Sequence, residues 1–329
     1  WLILLVFYTL VTCINLALLE ESCMTTLLKP TLFMLASTLS LSISAVIAKF
    51  LTTQFSLAIL VLLRLLIPAV IMFIMMSLTQ IRLPDKTLAK SILIRALCIA
   101  GCQLCFITSL SMLTLVASVV LFSTGPLFIP ILEKLIFGVK VKGATKIGLV
   151  VTFAGVLLLA GDVTGITLKP ELLIGLGAGL FNAGSQLSLY RSTKGNLSPV
   201  AINAWSFLLS SFFVLPVLAW FGISSSDMQI MLQPELNLII WSAVLVLAFT
   251  IVSNQIYRSK AYKLVDSGSQ LAPLIYTNLI FSVIWQITLF DEILPAQKMV
   301  GVALIIVASL IPTLMSFFKS IQLKFRLVT

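Results

Sequence analysis

Residues 56–78 read SLAILVLLRLLIPAVIMFIMMSL, with one charge, Arg64, and one proline, Pro68. As a helix this run is about 34 Å long at 1.5 Å per residue, and about 20 apolar residues suffice to cross the hydrocarbon core of a bilayer. A soluble core helix would alternate polar and apolar faces; this one does not. Nine further segments have the same character: 32–50, 90–110, 115–137, 145–161, 172–190, 200–221, 237–257, 268–290 and 296–318. The joints between them carry Pro, Gly, Asp or Lys, as in Arg82-Leu83-Pro84-Asp85 and Lys169-Pro170-Glu171. Prolines inside spans (Pro126, Pro130, Pro273) are tolerated in a bilayer because neighbouring helices satisfy the freed carbonyls.

Composition supports ten membrane spans. The 329 residues are 60% hydrophobic and 10% charged, against about 25% charged in soluble domains. A net charge of +10 would suggest nucleic acid in a soluble chain. Here Lys and Arg mark the cytoplasmic side of a membrane. If span 1 starts in the cytoplasm, 17 of the 21 basic residues fall inside and three outside (Lys49, Lys169, Lys298), with Arg64 as the charge well within a span. That asymmetry predicts a multi-pass membrane protein with both ends of the ten-helix core cytoplasmic. Residues 319–329 then form a basic cytoplasmic tail. Residues 1–29 form an apolar extension that begins with Trp. A fragment or an over-extended start, the latter with Met24 as a candidate first residue, is the expectation; an eleventh helix over 1–19 is the alternative.

Several chemistries are excluded. The chain has no His, so Ser-His hydrolysis, His metal ligation and His proton relays are absent. Leu159-Ala160-Gly161-Asp162 is not a G-x-G-D aspartyl motif. Cys98, Cys102 and Cys105 share a helical face, but Cys is also a small packing residue, and no second Cys pair lies elsewhere. No metal and no cofactor is expected. Gly175-Leu176-Gly177-Ala178-Gly179 contains a G-x-x-x-G, read as a close helix contact; no Lys-Ser/Thr follows it to make a phosphate loop.

The two halves resemble each other. Ala48-Lys49-Phe50 aligns with Tyr190-Arg191-Ser192 at an offset of 142 residues, and Gly148-Leu149-Val150 with Gly301-Val302-Ala303 at 153. The growth in offset places an insertion in the second half, at the polar loop 222–235. Each half has five spans. Five is odd, so the second repeat enters the membrane inverted, the arrangement of secondary transporters whose two bundles rock around a midplane site.

ASVVLFSTGPLFIPILEKLIFG (117–138) with GLVVTFAGVLLL (148–159), and LFDEILPAQKMVGVALIIVASLI (289–311), resemble the matching parts of two EamA repeats. LVLLRLLIPAVIMF (60–73) and NLSPVAINAWSFLL (196–209) are similar to the early helices of those repeats. On this resemblance the chain is an EamA-type transporter of the drug/metabolite transporter superfamily. The fold it implies is an all-α integral membrane protein of two inverted five-helix repeats, 30–162 and 171–318, around a cavity lined by spans 1, 3, 4, 6, 8 and 9. The family often carries Leu-Glu-Pro in spans 4 and 9. This chain has Thr124-Gly125-Pro126 and Thr277-Asn278-Leu279, which weighs against carboxylate-based proton coupling. Asp291-Glu292 is read as the polar terminus of span 9 on the outer face.

Polar residues at membrane depth need a partner or a cavity. Span 3 supplies Gln103; span 4, Ser123 and Thr124; span 6, Asn182 and Gln186 on one face. Span 8 supplies Asn254, and span 9 supplies Tyr276, Asn278 and Trp285. Each is a candidate lining residue; the alternative is a hydrogen bond to a neighbouring helix. Arg64 is a candidate anion contact, or a cation that snorkels outward or bonds helix-end carbonyls. The expected function is secondary transport of a small polar metabolite, such as an amino acid, an amine or a nucleoside-like solute such as S-adenosylmethionine. An intramembrane enzyme and a non-transporting scaffold are the alternatives. The partners are a small solute and the lipid bilayer, with no nucleic acid, and the assembly is a monomer or homodimer.

Overall fold

A computed structural model describes residues 28–78, 83–137, 170–221, 238–265, 271–275 and 277–289, with short pieces between 150 and 158 and between 296 and 307. These residues are helical throughout, joined by turns, with no strand among them. The first half contributes α1 (Leu28–Leu51), α2 (Leu57–Ser77), α3 (Lys86–Met112), α4 (Leu115–Phe122) and α5 (Gly125–Phe137). The second contributes α6 (Pro170–Thr193), α7 (Pro199–Phe221), α8 (Leu238–Leu264), α9 (Ala272–Ile275) and α10 (Thr277–Leu289). Spans 1–4 and 6–9 of the sequence reading are thus present, six of them as helices long and apolar enough to cross a membrane. The extension 1–27, most of spans 5 and 10, Asp291-Glu292 and the tail lie outside the described residues.

The burial pattern is that of a protein dissolved in lipid. Leu66, Val70 and Ile74 form an exposed stripe on α2, and Ile280, Ile284 and Ile287 one on α10. The inside holds Ser37, Ser40, Ser42 and Ser44 of α1. Three of these hydroxyls return to their own helix, Ser40 to Ala36 O, Ser42 to Leu39 O and Ser44 to Leu41 O. With its polar tips so satisfied, a small-residue face lets another helix approach closely.

Span 4 is broken between α4 and α5. Pro126 has no N–H to give the Phe122 carbonyl. The helix tightens instead, Thr124 N donating to Leu121 O at 3.2 Å, and restarts at Gly125.

The packing has the symmetry of the repeat. Exchanging halves maps α1, α2 and α3 onto α6, α7 and α8, and α4–α5 onto α9–α10. The most extensive contacts are α3 with α6, α8 with α1, and α2 with α7. The exchange turns the first into the second and returns the third to itself. Likewise α5 packs on α6 and α10 on α1. Such reciprocal contacts are the mark of a two-fold axis, here running between the repeats of one chain.

One device occurs twice. At the end of α1, Lys49 Nζ donates to Leu110 O and Leu113 O, at 2.8 and 2.7 Å, at the end of α3. Beyond α6, Lys194 Nζ donates to Val265 O at 2.8 Å, beyond α8. A cation there satisfies helix-end carbonyls that have no partner in their own helix. The two clamps sit at opposite ends of the bundle, since Ser91 near the start of α3 bonds Ser188 and Ser192 near the end of α6. Lys49→Met removes two charge-assisted bonds, each worth about 1.5–3 kcal/mol in other proteins. Thermal unfolding of the purified variant is expected at a clearly lower temperature than wild type.

Candidate functional site

The axis between the repeats passes through a polar cavity. Its walls come from α1 (Leu41, Ser44, Ala45), α3 (Ile99, Cys102, Gln103, Phe106), α4 (Val119, Phe122), α6 (Asn182, Ser185, Gln186, Leu189), α8 (Ile251, Asn254, Gln255) and α10 (Asn278). Three arginines complete it: Arg64 of α2, Arg95 of α3 and Arg258 of α8. The walls stand close. About 50 Å³ between them admits the centre of a water molecule, room for a few waters and less than an organic solute needs.

Of the residues singled out in the sequence, Gln103, Asn182, Gln186, Asn254, Asn278 and Arg64 come together here. Asn182 and Gln186 are one turn apart and bonded, Gln186 Nε2 donating to Asn182 Oδ1 at 3.2 Å. Tyr262 Oη in turn donates to Gln186 Oε1 at 2.7 Å. Asn254 Oδ1 accepts from Ser37 Oγ at 2.7 Å. Asn278 Oδ1 is buried and has no partner.

Ser123, Thr124 and Trp285 are not in the lining. Ser123 caps α4. Thr124 Oγ1 donates to Leu121 O at 2.6 Å, serving the broken joint, and Trp285 Nε1 donates to Ser42 Oγ at 3.1 Å. Tyr276 lies outside the described residues. Cys98 and Cys105 lie against glycines of α6: a Cβ on Gly184 would come within 2.7 Å of Cys98 Sγ, and one on Gly177 within 3.5 Å of Cys105 Sγ. These thiols fill the space the glycines leave.

Arg64 is 3% exposed and turns inward, so the snorkelling alternative does not hold. Its Nε donates to Gln103 Oε1 at 3.2 Å, and its guanidinium lies over the Phe106 ring at 5.9 Å. It is also not the only charge at depth, which corrects the sequence reading. Arg95 is 1% and Arg258 4% exposed. Arg95 Nη2 donates to Asn203 Oδ1 at 2.7 Å and Gln255 Oε1 at 3.0 Å. Asn203 is held by its own Nδ2, which donates to Pro199 O at 2.7 Å and Ser259 Oγ at 2.8 Å. Neutral amides therefore orient Arg95 between α3, α7 and α8 without neutralising it.

Both cations were counted as membrane-end charges. Arg258 lies one residue past the expected span 237–257, whereas α8 ends seven residues after 257; Arg95 lies five residues inside the expected span 90–110, near an end that α3 extends by four residues. A signal was available. Arg95, Ile99, Gln103 and Phe106 recur at four, four and three residues, and Ile251, Asn254, Gln255 and Arg258 at three, one and three. These are one-face helical spacings that tie each arginine to an amide already singled out.

Comparison with known proteins is consistent with this architecture. A family model described as the EamA-like transporter family matches residues 28–161 and 169–314. Uncharacterized transporters from two strains of Helicobacter pylori are each 21% identical over 220 residues, covering 67% of this chain and 72% of theirs. A protein of known crystal structure matches with a TM-score of 0.57 at 14% identity, over 87% of this chain and 96% of that one. At that identity the likeness speaks for the fold alone.

Proposed function

The chain belongs to the EamA-like transporter family, and from that premise we propose a secondary carrier that moves a small polar metabolite across the bacterial inner membrane. The carrying observation is the polar cavity on the axis between the repeats, walled by helices of both. Rocking of one repeat against the other would open such a site to each side in turn. Its amides and hydroxyls suit a small polar solute held by hydrogen bonds. The excess of basic residues on one side supports cytoplasmic ends for the ten-helix core. The working unit is a monomer or homodimer whose partners are the solute and the bilayer, and its task is transport rather than catalysis.

The test is saturable uptake of labelled solutes into proteoliposomes, competed by unlabelled solute. Folded protein that carries nothing from a broad metabolite panel would sink the reading and favour a scaffold. Asn278→Leu is the informative variant. Asn278 Oδ1 has no protein partner, so its loss removes no bond that holds the fold. Transport should fall at least about tenfold, the worth of one good hydrogen bond to solute, with the melting temperature unchanged or raised.

A further inference from the structure

The arginines carry an inference about what the cavity takes, which rests on the carrier reading above. A guanidinium keeps its charge under all ordinary conditions, so the site holds three positive charges. Among the described residues, none that lines the cavity is acidic. The hydrogen bonds of Arg64 and Arg95 go to neutral amides, Gln103, Asn203 and Gln255. Five buried nitrogens have no partner: Nη1 of Arg64, Nε and Nη1 of Arg95, Nε and Nη2 of Arg258. Buried cations are normally paired, and leaving one unpaired is strongly destabilising. Three on one cavity are an arrangement that a negatively charged ligand completes.

Their placement gives the ligand a shape. Arg64 lies about 10 Å along α2 from its start, the end of the bundle that the Lys49 clamp marks. Arg95 lies about 14 Å from the start of α3 and Arg258 about 9 Å from the end of α8, both measured from the opposite end. The cavity is thus faced by one guanidinium from one side and two from the other. Each guanidinium offers a planar fork matched to carboxylate or phosphate oxygens. Asn278 Oδ1 on the same cavity needs a donor, which a hydroxyl or ammonium group supplies.

We propose that the transported solute is a small organic acid with two anionic groups, carboxylate or phosphate, and a hydroxyl or ammonium group besides. Arg95 and Arg258 clasp one anionic group and Arg64 the other. Amines and S-adenosylmethionine, which bring positive charge, are poor ligands for this cavity.

The experiment is thermal unfolding of the purified full chain with millimolar malate, glycerol 3-phosphate, inorganic phosphate, glutamine, putrescine or S-adenosylmethionine. A ligand of the folded state raises the melting temperature. Malate should raise it, and more than glycerol 3-phosphate, whose single anionic group leaves one side of the cavity unanswered; glutamine, putrescine and S-adenosylmethionine should not. Arg258→Gln should weaken the effective anion about ten- to a hundredfold, as expected for one charged contact. The ranking of solutes on wild-type protein decides the matter even if that variant fails to fold. Stabilisation by inorganic phosphate alone would overturn the proposal, as would stabilisation by a neutral or cationic solute but by no organic anion. Carriage of glutamine or putrescine in liposomes, with no organic anion carried, would overturn this inference and leave the carrier reading standing. Folded protein that carries no solute of any charge, yet is stabilised by malate, would overturn the carrier reading instead.

Discussion

Liposomes preloaded with the carried anion are expected to take up labelled anion at least about ten times faster than liposomes without it. The reasoning follows the charge. With a doubly charged solute bound, most of the charge on Arg64, Arg95 and Arg258 is neutralised as the two repeats pass each other. Without it, the return step carries three cations that no carboxylate among the described lining residues offsets. A buried unpaired charge costs several kcal/mol, and each 1.4 kcal/mol on a barrier slows a step about tenfold. The empty return should then limit net uptake, while exchange avoids it. Proton coupling would need a titrating acid, and the positions where the family often has one hold Gly125 and Asn278. The measurement is the initial rate of uptake with and without internal solute. Equal rates would mean that the arginines reach water on the return step, and obligatory exchange would be lost.

That prediction depends on two residues that sequence reading placed wrongly. Span number, the repeat and most amides of the cavity were legible, because apolar run length and helical spacing are local properties. Arg95 and Arg258 were not, because a cation near a span boundary has two physical fates that composition cannot separate. It can lie among headgroups, or turn inward along a face shared with polar residues. Asn203 was missed for a related reason: it sits in a stretch used only to mark the repeat, and its role depends on α3 and α8 meeting α7. Thr124 and Trp285 erred the other way. Both are polar at depth, and both spend their hydrogen bonds on helix architecture.

The clamp does not follow the repeat residue by residue, although the helices that carry it, Leu28–Leu51 and Pro170–Thr193, keep the offset of 142. Aligned residue by residue, Lys49 falls on Arg191, yet the cation that reaches the equivalent carbonyl is Lys194. Lys and Arg reach far along a helix surface, so the geometric equivalent of a cation can drift by a turn while the backbone repeat is kept. The clamp pairs therefore hold opposite ends of the bundle by the same chemistry from non-equivalent positions.

Gly179→Leu is expected to yield no folded protein, and Gly177→Ala to cost nothing, although the two lie on the same helix. A Cβ at Gly179 would meet Thr124 Oγ1 and come within 2.8 Å of the Leu121 carbonyl and 3.4 Å of Gly125 N. These are not flexible side-chain ends. The Leu121 carbonyl accepts from both Thr124 N and Thr124 Oγ1 and so carries the break that Pro126 imposes on span 4. Pushing it aside uncouples α4 from α5, and with it the wall that supplies Val119 and Phe122. Overpacking a well-fitted site costs about 1–3 kcal/mol, the range expected for Gly179→Ala; the whole leucine side chain has nowhere to go. At Gly177 a Cβ would touch only Cys105 Sγ at 3.5 Å, an ordinary contact. There alanine gains up to about 1 kcal/mol of helix propensity and fills a little space. Thermal unfolding of both alanine variants checks the sign at each site. A fall at Gly179 with a rise or no change at Gly177 places the close helix contact of the G-x-x-x-G on one face of α6, where α6 meets the broken span. Equal falls at both would mean that α6 is limited by helix propensity or by lipid rather than by this contact.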